Sequence, residues 1–415
     1  MNSVADVSDT TVTTAFTAAL RHQVLVALLL LAVLGLAWPG VRAWRRARGA
    51  GPGAPAPAPA EPAGRRVLRI GFGLLWLFDG LLQAQPQMAA GLPGRVIEPV
   101  AASSPDWVQQ VVNWAAAMWT HHPVPAAAAA VWAEVGIGAW LLVADRGIWS
   151  RLAGLAGLGW GLAVWVFGES FGGLFTSGLT WLTGAPGAAL SYAVAGALIA
   201  LPERAWRTAR LGGLTLRGLG LFLTGMAVLQ AWPGRGFWHG TYHGRPGTLT
   251  GAVQAMSQVP QPRFLSSWVA DFASFTAGHG LAVNLFAVAA LAVAGAVFTS
   301  GRPGLIRPAV AAFTVLCLAD WVLIQDLGFF GGVGTDPNSM IPFALLAVAG
   351  YLALARVPPV AAAPDGPLPA ATAAGSERRS RTARAQRPKG AAVPCRDQGA
   401  ARQPGPVPVR ARPGR

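Results

Sequence analysis

Asp79, Glu134 and Asp320 are carboxylic acids set inside long apolar runs, with no Lys or Arg at comparable depth to neutralise them. A charged carboxylate at the bilayer centre costs at least ~2.5–3.5 kcal/mol on insertion scales. Such groups are protonated, paired or turned to a polar cavity. They are the candidate catalytic residues: proton relays, ion sites, or hydrogen-bond partners for a quinone. The structural alternative is a protonated carboxyl that bonds a neighbouring helix or a Trp indole, worth under ~2 kcal/mol. Glu169, Gln325, Asp326 and Asp336 form a second set, beside the Gly- and Phe-rich stretches 168–173 and 328–339. Irregular backbone near a membrane must be buried in protein or line a wet cavity, so these four mark a pair of related outer ligand pockets. The alternative is that the loops only re-enter the bundle and cap helices; Thr335-Asp336-Pro337 has the composition of a helix start.

The six histidines, His22, His121, His122, His239, His243 and His279, all fall toward one side of the apolar runs. Imidazole suits Cu and Zn, which makes His121, His122, His239 and His243 the residues to consider for a metal. A His-x3-His pair shares a face only on a helix, however, and Gly240, Gly244 and Pro246 oppose one there. The reading is therefore no metal. Cys317 and Cys395 lie on different levels of the chain, which supports neither a disulfide nor a Cys-based metal site. No phosphate-binding loop, dinucleotide fingerprint, Ser-nucleophile or zinc-protease motif is present.

The elements that must position these residues are membrane helices. The chain has 415 residues, 53% of them hydrophobic and 12% charged, against roughly 25% charged in a soluble domain. Apolar runs lie at 23–40, 70–86, 125–144, 152–168, 186–202, 213–232, 279–299, 308–327 and 340–356. Each is near the ~20 residues that cross ~30 Å of hydrocarbon. The expectation is an all-α integral membrane protein with about nine transmembrane helices.

The membrane part is written twice. Leu82-Gln83-Ala84-Gln85-Pro86 recurs as Leu229-Gln230-Ala231-Trp232-Pro233, and Leu162-Ala163-Val164-Trp165-Val166 as Leu318-Ala319-Asp320-Trp321-Val322. The second match extends back so that Arg146 and Arg151 align with Arg302 and Arg307. Such doubling predicts two four-helix repeats, 67–202 and 213–356, joined by a connector at 203–212. An even number of spans in each repeat makes them parallel. Before them come an outer tail (1–22), an anchor (23–40) read as retained rather than cleaved, and a Pro/Ala-rich linker (41–66). After them, 357–415 reads as a disordered basic tail. In both repeats the first outer loop is long and holds a Trp-Val pair, Trp107-Val108 and Trp268-Val269, in a short amphipathic helix. The acids are not duplicated: Asp79, Glu134 and Asp320 align with Met226, Ala290 and Val164, whereas Glu169 aligns with Gln325, next to Asp326.

The net charge is +15. Apart from Arg21, Arg95, Arg235, Arg245 and Arg263, all 32 Lys and Arg residues fall on one side of this pattern, which the positive-inside rule assigns to the cytoplasm. That sets the N-terminus outside and the C-terminus inside a bacterial plasma membrane. The basic tail is expected to lie on anionic lipid, not on nucleic acid.

Arg69-Ile70-Gly71-Phe72-Gly73-Leu74-Leu75-Trp76-Leu77, Arg217-Gly218-Leu219-Gly220-Leu221-Phe222-Leu223 and Trp132-Ala133-Glu134-Val135-Gly136-Ile137-Gly138-Ala139-Trp140-Leu141-Leu142 resemble helices of DoxX-like membrane proteins. The resemblance implies two tandem four-helix bundles. It also implies an accessory, non-catalytic part in a membrane redox or envelope process, with Glu134 matching an acid often found in the second helix. Some relatives are subunits of thiosulfate:quinone oxidoreductases, so the resemblance allows quinone as a cofactor and a membrane protein as a partner. The second repeat lacks the matching Glu. Two alternatives accompany this reading: a quinone-linked oxidoreductase subunit, and a small-solute or ion transporter built from parallel repeats.

Overall fold

Runs of Leu, Ala, Val and Gly in lipid can satisfy their backbone only as helices or closed barrels, and this chain chooses helices. The computed structural model describes residues 2–48 and 60–355. Its principal helices are α1 (Asn2–Arg48), α2 (Ala63–Gln83), α3 (Asp106–His121), α4 (Pro123–Val143), α5 (Gly147–Phe167), α6 (Ala188–Ala200), α7 (Ala209–Ala231), α8 (Arg263–Ser300), α9 (Pro303–Leu323) and α10 (Met340–Ala355). The protein is all-α in its membrane part and multi-pass. A two-residue hairpin, Thr241–Tyr242 paired antiparallel with Arg245–Pro246, lies outside the bundle.

Among the described residues, six helices are long and apolar enough to cross a membrane. A seventh span counts if α2 is joined to the segment Met88–Ala101, bent from it by 92°. Nine were expected, and the shortfall has two physical sources. Arg65, Arg66, Arg69 and Asp79 lower the hydropathy of α2. The last helix of each repeat, α6 or α10, is short, because the loop before it runs inside the bundle as irregular backbone.

Helices α2, α4, α5 and α6 close a ring in which each packs on the next, and α7, α8, α9 and α10 close a second ring in the same order. The rings meet where α10 lies against α2 and α6. Glycine sets the closest approaches. A Cβ on Gly138 would come within 2.7 Å of the Gly73 carbonyl, and one on Gly220 within 2.8 Å of the Gly295 carbonyl. The first contact joins α2 to α4 and the second α7 to α8, the same pair in each ring. Small residues at such crossings let packing and weak hydrogen bonds hold helices together in lipid. The backbone repeats as well. The turn after α5 has Ser170, Phe171 and Gly172 at φ 51°, 58° and 60°, and the turn after α9 has Asp326, Leu327 and Gly328 at 52°, 60° and 82°.

At one end of the first ring Glu61 binds both Arg65 (2.8 Å) and Arg69 (3.0 Å). Arg65 also donates to the carbonyls of Asp145 and Ile199 and to Ser150 Oγ, and Arg69 to the Leu141 carbonyl. Two buried guanidinium groups thus cap the C-terminal ends of α4 and α6, where the helix dipole favours a cation.

The N-terminal residues read as a polar tail are helical and continuous with the anchor. Thr13, Thr14 and Thr17 return their hydroxyls to carbonyls one turn back, so polarity does not break the helix. Phe16 is fully buried with Ala127 and Val131 of α4, while Leu25 to Leu36 stand exposed as a lipid-facing surface would. Helix α3 begins at Asp106, before the expected Trp-Val pair. It buries Val108, Val112 and Ala116 at i, i+4 and i+8 and leaves Trp107 and Trp114 outward. In the second ring the matching pair, Trp268 and Val269, lies in α8, which is interrupted at His279. Of the expected linker 41–66, residues 41–48 continue α1 and 63–66 open α2, both helical where a linker was expected, while 49–59, the Arg-rich tail and Cys395 lie outside the described residues.

Candidate functional site

The loop after each third helix does not stay with its own ring. From α5, residues 168–187 reach across to the second ring. Trp181 is fully buried there, 5.7 Å from the Phe313 ring and 6.1 Å from the Phe343 ring, and Thr180 donates to Gln230 of α7. From α9, residues 324–339 run the other way. Phe329 packs 5.4 Å from Phe78, and the Gly334 carbonyl accepts from Gln85. The two loops are tied where they pass. Ser339 Oγ donates to the Gly184 carbonyl (2.6 Å), and Gln325 donates to the Leu182 carbonyl while accepting from the Ser339 amide.

This exchange builds one cavity of about 550 Å³ in the first ring. Asp79 from α2, Glu134 from α4, Glu169 at the end of α5 and Asp336 from the second repeat's loop all line it. Trp76, Trp160 and Tyr192 supply aromatic walls, and Gln83 and Asn338 supply amides. Among the described residues no Lys, Arg or His lines it. Gly172 makes the turn possible, since any Cβ there would overlap the Pro186 carbonyl.

The four carboxyls are held differently. Glu169 accepts the Ala189 amide through both oxygens (3.0 and 3.2 Å) and so caps α6. Asp336 accepts the Asn338 amide (2.7 Å) and the Thr335 hydroxyl (2.9 Å), an Asx turn. That turn delays the helix expected from Thr335-Asp336-Pro337 until Met340. Glu134 receives a long contact from the Trp160 indole (3.4 Å), and its Oε2 has no partner. Gln83 Oε1 is also unpartnered, and Asp79 and the Tyr192 hydroxyl lie side by side with no partner but each other. Asp336 interacts electrostatically with Asp79, Glu134 and Glu169. Burial, and then Asp336, push the Glu169 carboxyl up to about 8. Burial likewise raises Asp336 above its ordinary range.

Of the acids singled out in the sequence, then, Asp79, Glu134, Glu169 and Asp336 come together. Asp320 does not. It is buried in the second ring on the helix that carries Cys317, with the Gln325 side chain as its polar neighbour. Gln325 and Asp326 also lie off the cavity. Gln325 uses its amide to join the loops, and Asp326, raised by burial to about 6, sits in the left-handed turn. His121 and His122 are exposed at the α3–α4 junction, and His239 and His243 flank Tyr242 in the hairpin region. Among the described residues no three His, Cys, Asp or Glu side chains are grouped to hold a metal.

The second ring is packed differently at the matching place. The motif Ala-Val-Ala-Gly at 193–196 and 347–350 extends the repeat through the fourth helices and sets Trp181 against Thr335. The second ring fills its centre with Met226, Phe313, Phe343 and Trp181. The aligned positions of the first ring hold Asp79, Gly157, Ala189 and Thr335. Sequence reasoning passed over Trp76, Gln83 and Tyr192. The signal was present: Trp76, Asp79 and Gln83 recur at i, i+3 and i+7 and share a helix face, and Tyr192 is one of only three tyrosines, set in an apolar helix.

No protein-family model, curated protein or solved structure matches this chain.

Proposed function

We propose that this chain is a DoxX-like, multi-pass protein of a bacterial plasma membrane whose working part is the acid-lined cavity. There it binds a small ligand in a proton-linked way, as an accessory component of a membrane redox or envelope process. The observation that carries this reading is the meeting of Asp79, Glu134, Glu169 and Asp336 on one cavity with no cationic side chain on its wall. Carboxylates that repel one another in a buried, low-dielectric site cannot all ionise, so protons and ligand compete for the same space.

The nine-span reading counts α1, α2 and α4 to α10, with α6 and α10 completing their crossings through the buried loops. Arg65, Arg69 and Arg151 all bond to the 141–145 or 199–200 ends of helices, which supports a single arginine-rich face. By the positive-inside rule this face is cytoplasmic, with the N-terminus outside. The partners are the bilayer, its anionic lipids at the basic tail, and a membrane protein served by the ligand.

A second reading, a quinone-linked subunit, is favoured by the Tyr192 hydroxyl and Asp79, which have no partner but each other, beside the Trp76 ring. A quinone head fits this mixture of aromatic wall and hydrogen-bonding groups. When bound it supplies two-electron, two-proton redox chemistry. Asp79, Glu134 and Tyr192 would hold its oxygens and exchange protons with them.

The test is mass spectrometry of small molecules retained by the protein purified in mild detergent, compared with Glu134→Gln and Asp79→Asn. A retained ligand that drops in both variants, each still monodisperse, is the expected result. A quinone absorbance band in the organic extract selects the second reading. Retention unchanged by both substitutions would overturn the assignment of the cavity.

A further inference from the structure

Resting on that reading of the cavity, we propose that its ligand is a small organic cation, an ammonium group on an apolar or aromatic body, taken up in exchange for protons held by the carboxyls. Three observations lead there. The first is charge. Every element around the cavity that offers a titratable group offers an acid or a phenol: Asp79 on α2, Glu134 on α4, Glu169 after α5, Tyr192 on α6 and Asp336 from the crossing loop. The segment Met88–Ala101 and helix α3 contribute only apolar and aromatic side chains to it, among them Leu92, Val96, Ile97 and Trp119. A neutral ligand leaves the mutual repulsion of these acids to be quenched by protons alone. A cation relieves it at Asp336, which interacts with the other three acids.

The second observation is unsatisfied polarity. Asp79 and Glu134 are buried and both line the cavity, Glu134 with its Oε2 unpartnered and Asp79 with only the Tyr192 hydroxyl beside it. Buried acceptors normally have donors; a primary ammonium supplies them directly, and a quaternary one, which has no N–H, supplies them through the water it brings. The third is the wall. The faces of Trp76, Trp160 and Tyr192 suit a cation through their quadrupoles and suit an apolar body through contact. A bare metal ion fits poorly, because no three acidic or imidazole ligands are grouped among the described residues and the space is far larger than an ion. Charge stays balanced, because each monocation that enters releases up to one proton to bulk water.

The experiment uses the full chain in lipid nanodiscs and benzyltrimethylammonium as the probe. Neopentylbenzene is its neutral isostere, and a short-chain ubiquinone forms a separate arm. Binding is read by tryptophan fluorescence, and proton release by calorimetry in two buffers of different ionisation enthalpy. The ammonium probe should bind at least about tenfold more tightly than the isostere, release protons, and tighten as pH rises from 6 to 9. Asp336→Asn should weaken it about tenfold or more, and so should Glu169→Gln, which keeps the acceptor for Ala189 and guards against a folding defect in the first variant. Asp326→Asn, at a left-handed position that Asn tolerates and off the cavity, should leave binding unchanged. Equal affinity for the neutral isostere, or indifference to both acid substitutions, would overturn the proposal. Binding of the quinone alone would overturn the ligand class while leaving the cavity assignment standing. Binding of none of the three probes, with retained ligand also unaffected by Glu134→Gln, would overturn both.

Discussion

Replacing Glu169 by Gln should stabilise the protein at alkaline pH. In the fold, burial and the neighbouring Asp336 raise the Glu169 carboxyl from 4.5 to about 8. The folded chain therefore holds a proton that the unfolded chain has released throughout that window. Stability is fully present below about pH 4.5 and declines as pH rises toward 8, the reverse of a salt-bridged carboxylate. At ~1.4 kcal/mol per pH unit, an isolated Glu169 would lose ~5 kcal/mol over the window. Because Asp336 shares the protons and the two titrate together, we expect ~2 kcal/mol from Glu169 itself, a few degrees in melting temperature. Gln cannot ionise, yet its carbonyl can still accept the Ala189 amide that caps α6. The two unfolding curves should therefore converge near pH 5 and separate by pH 8, with the variant above and a smaller slope of the same sign left by Asp336. Tryptophan-monitored melting in detergent from pH 5 to 8.5 measures this. A wild-type melting temperature that is flat or rises across the range, or an equal slope in the variant, would refute the reasoning.

Trp181→Ala should cost ~3 kcal/mol by removing a fully buried ring from the Phe313–Phe343 cluster, read as a lower midpoint in SDS titration. Glu61→Ala leaves Arg65 and Arg69 buried without their carboxylate and should cost ~3–5 kcal/mol, measured by thermal unfolding. Cys317 is buried, and the proposed topology puts Cys395 in the cytoplasm. A membrane-impermeant maleimide should therefore leave intact cells unlabelled and modify only Cys395 after the membrane is opened; labelling of intact cells would reverse the topology.

Much of the scaffold was legible because helix packing in lipid writes itself into small residues. The doubled motifs that aligned Arg146 with Arg302 return as matching Gly73–Gly138 and Gly220–Gly295 contacts and as a duplicated left-handed turn. The site was only half legible. Asp79 and Asp320 look alike as single acids in apolar runs. What opens a cavity at Asp79 lies on other helices of its ring, Gly157 and Ala189 where the second ring has Phe313 and Phe343, and a local pattern does not reveal which side chains face which. The path of Asp336 was hidden for a related reason. A Gly-rich loop has no periodicity to say which bundle it enters, and the answer depends on the tertiary ties Ser339–Gly184 and Gln325–Leu182. The apolar run that begins at 340 marks the start of α10, whereas Thr335-Asp336-Pro337 does not open it, because Asp336 closes an Asx turn on Asn338 rather than capping a helix.

The crossing of the two loops has an evolutionary consequence. Two separate copies of one half, associating face to face, would have to carry two identical hollows, and any bulky residue that steadied one would block the other. Linking the copies in a single chain removes that bind. One half can be made solid and serve as a buttress, holding in place the acid it lends to its neighbour. Drift in the solid half should then surface as altered ligand affinity, even at residues the ligand never meets. Neither half expressed alone would carry a complete site.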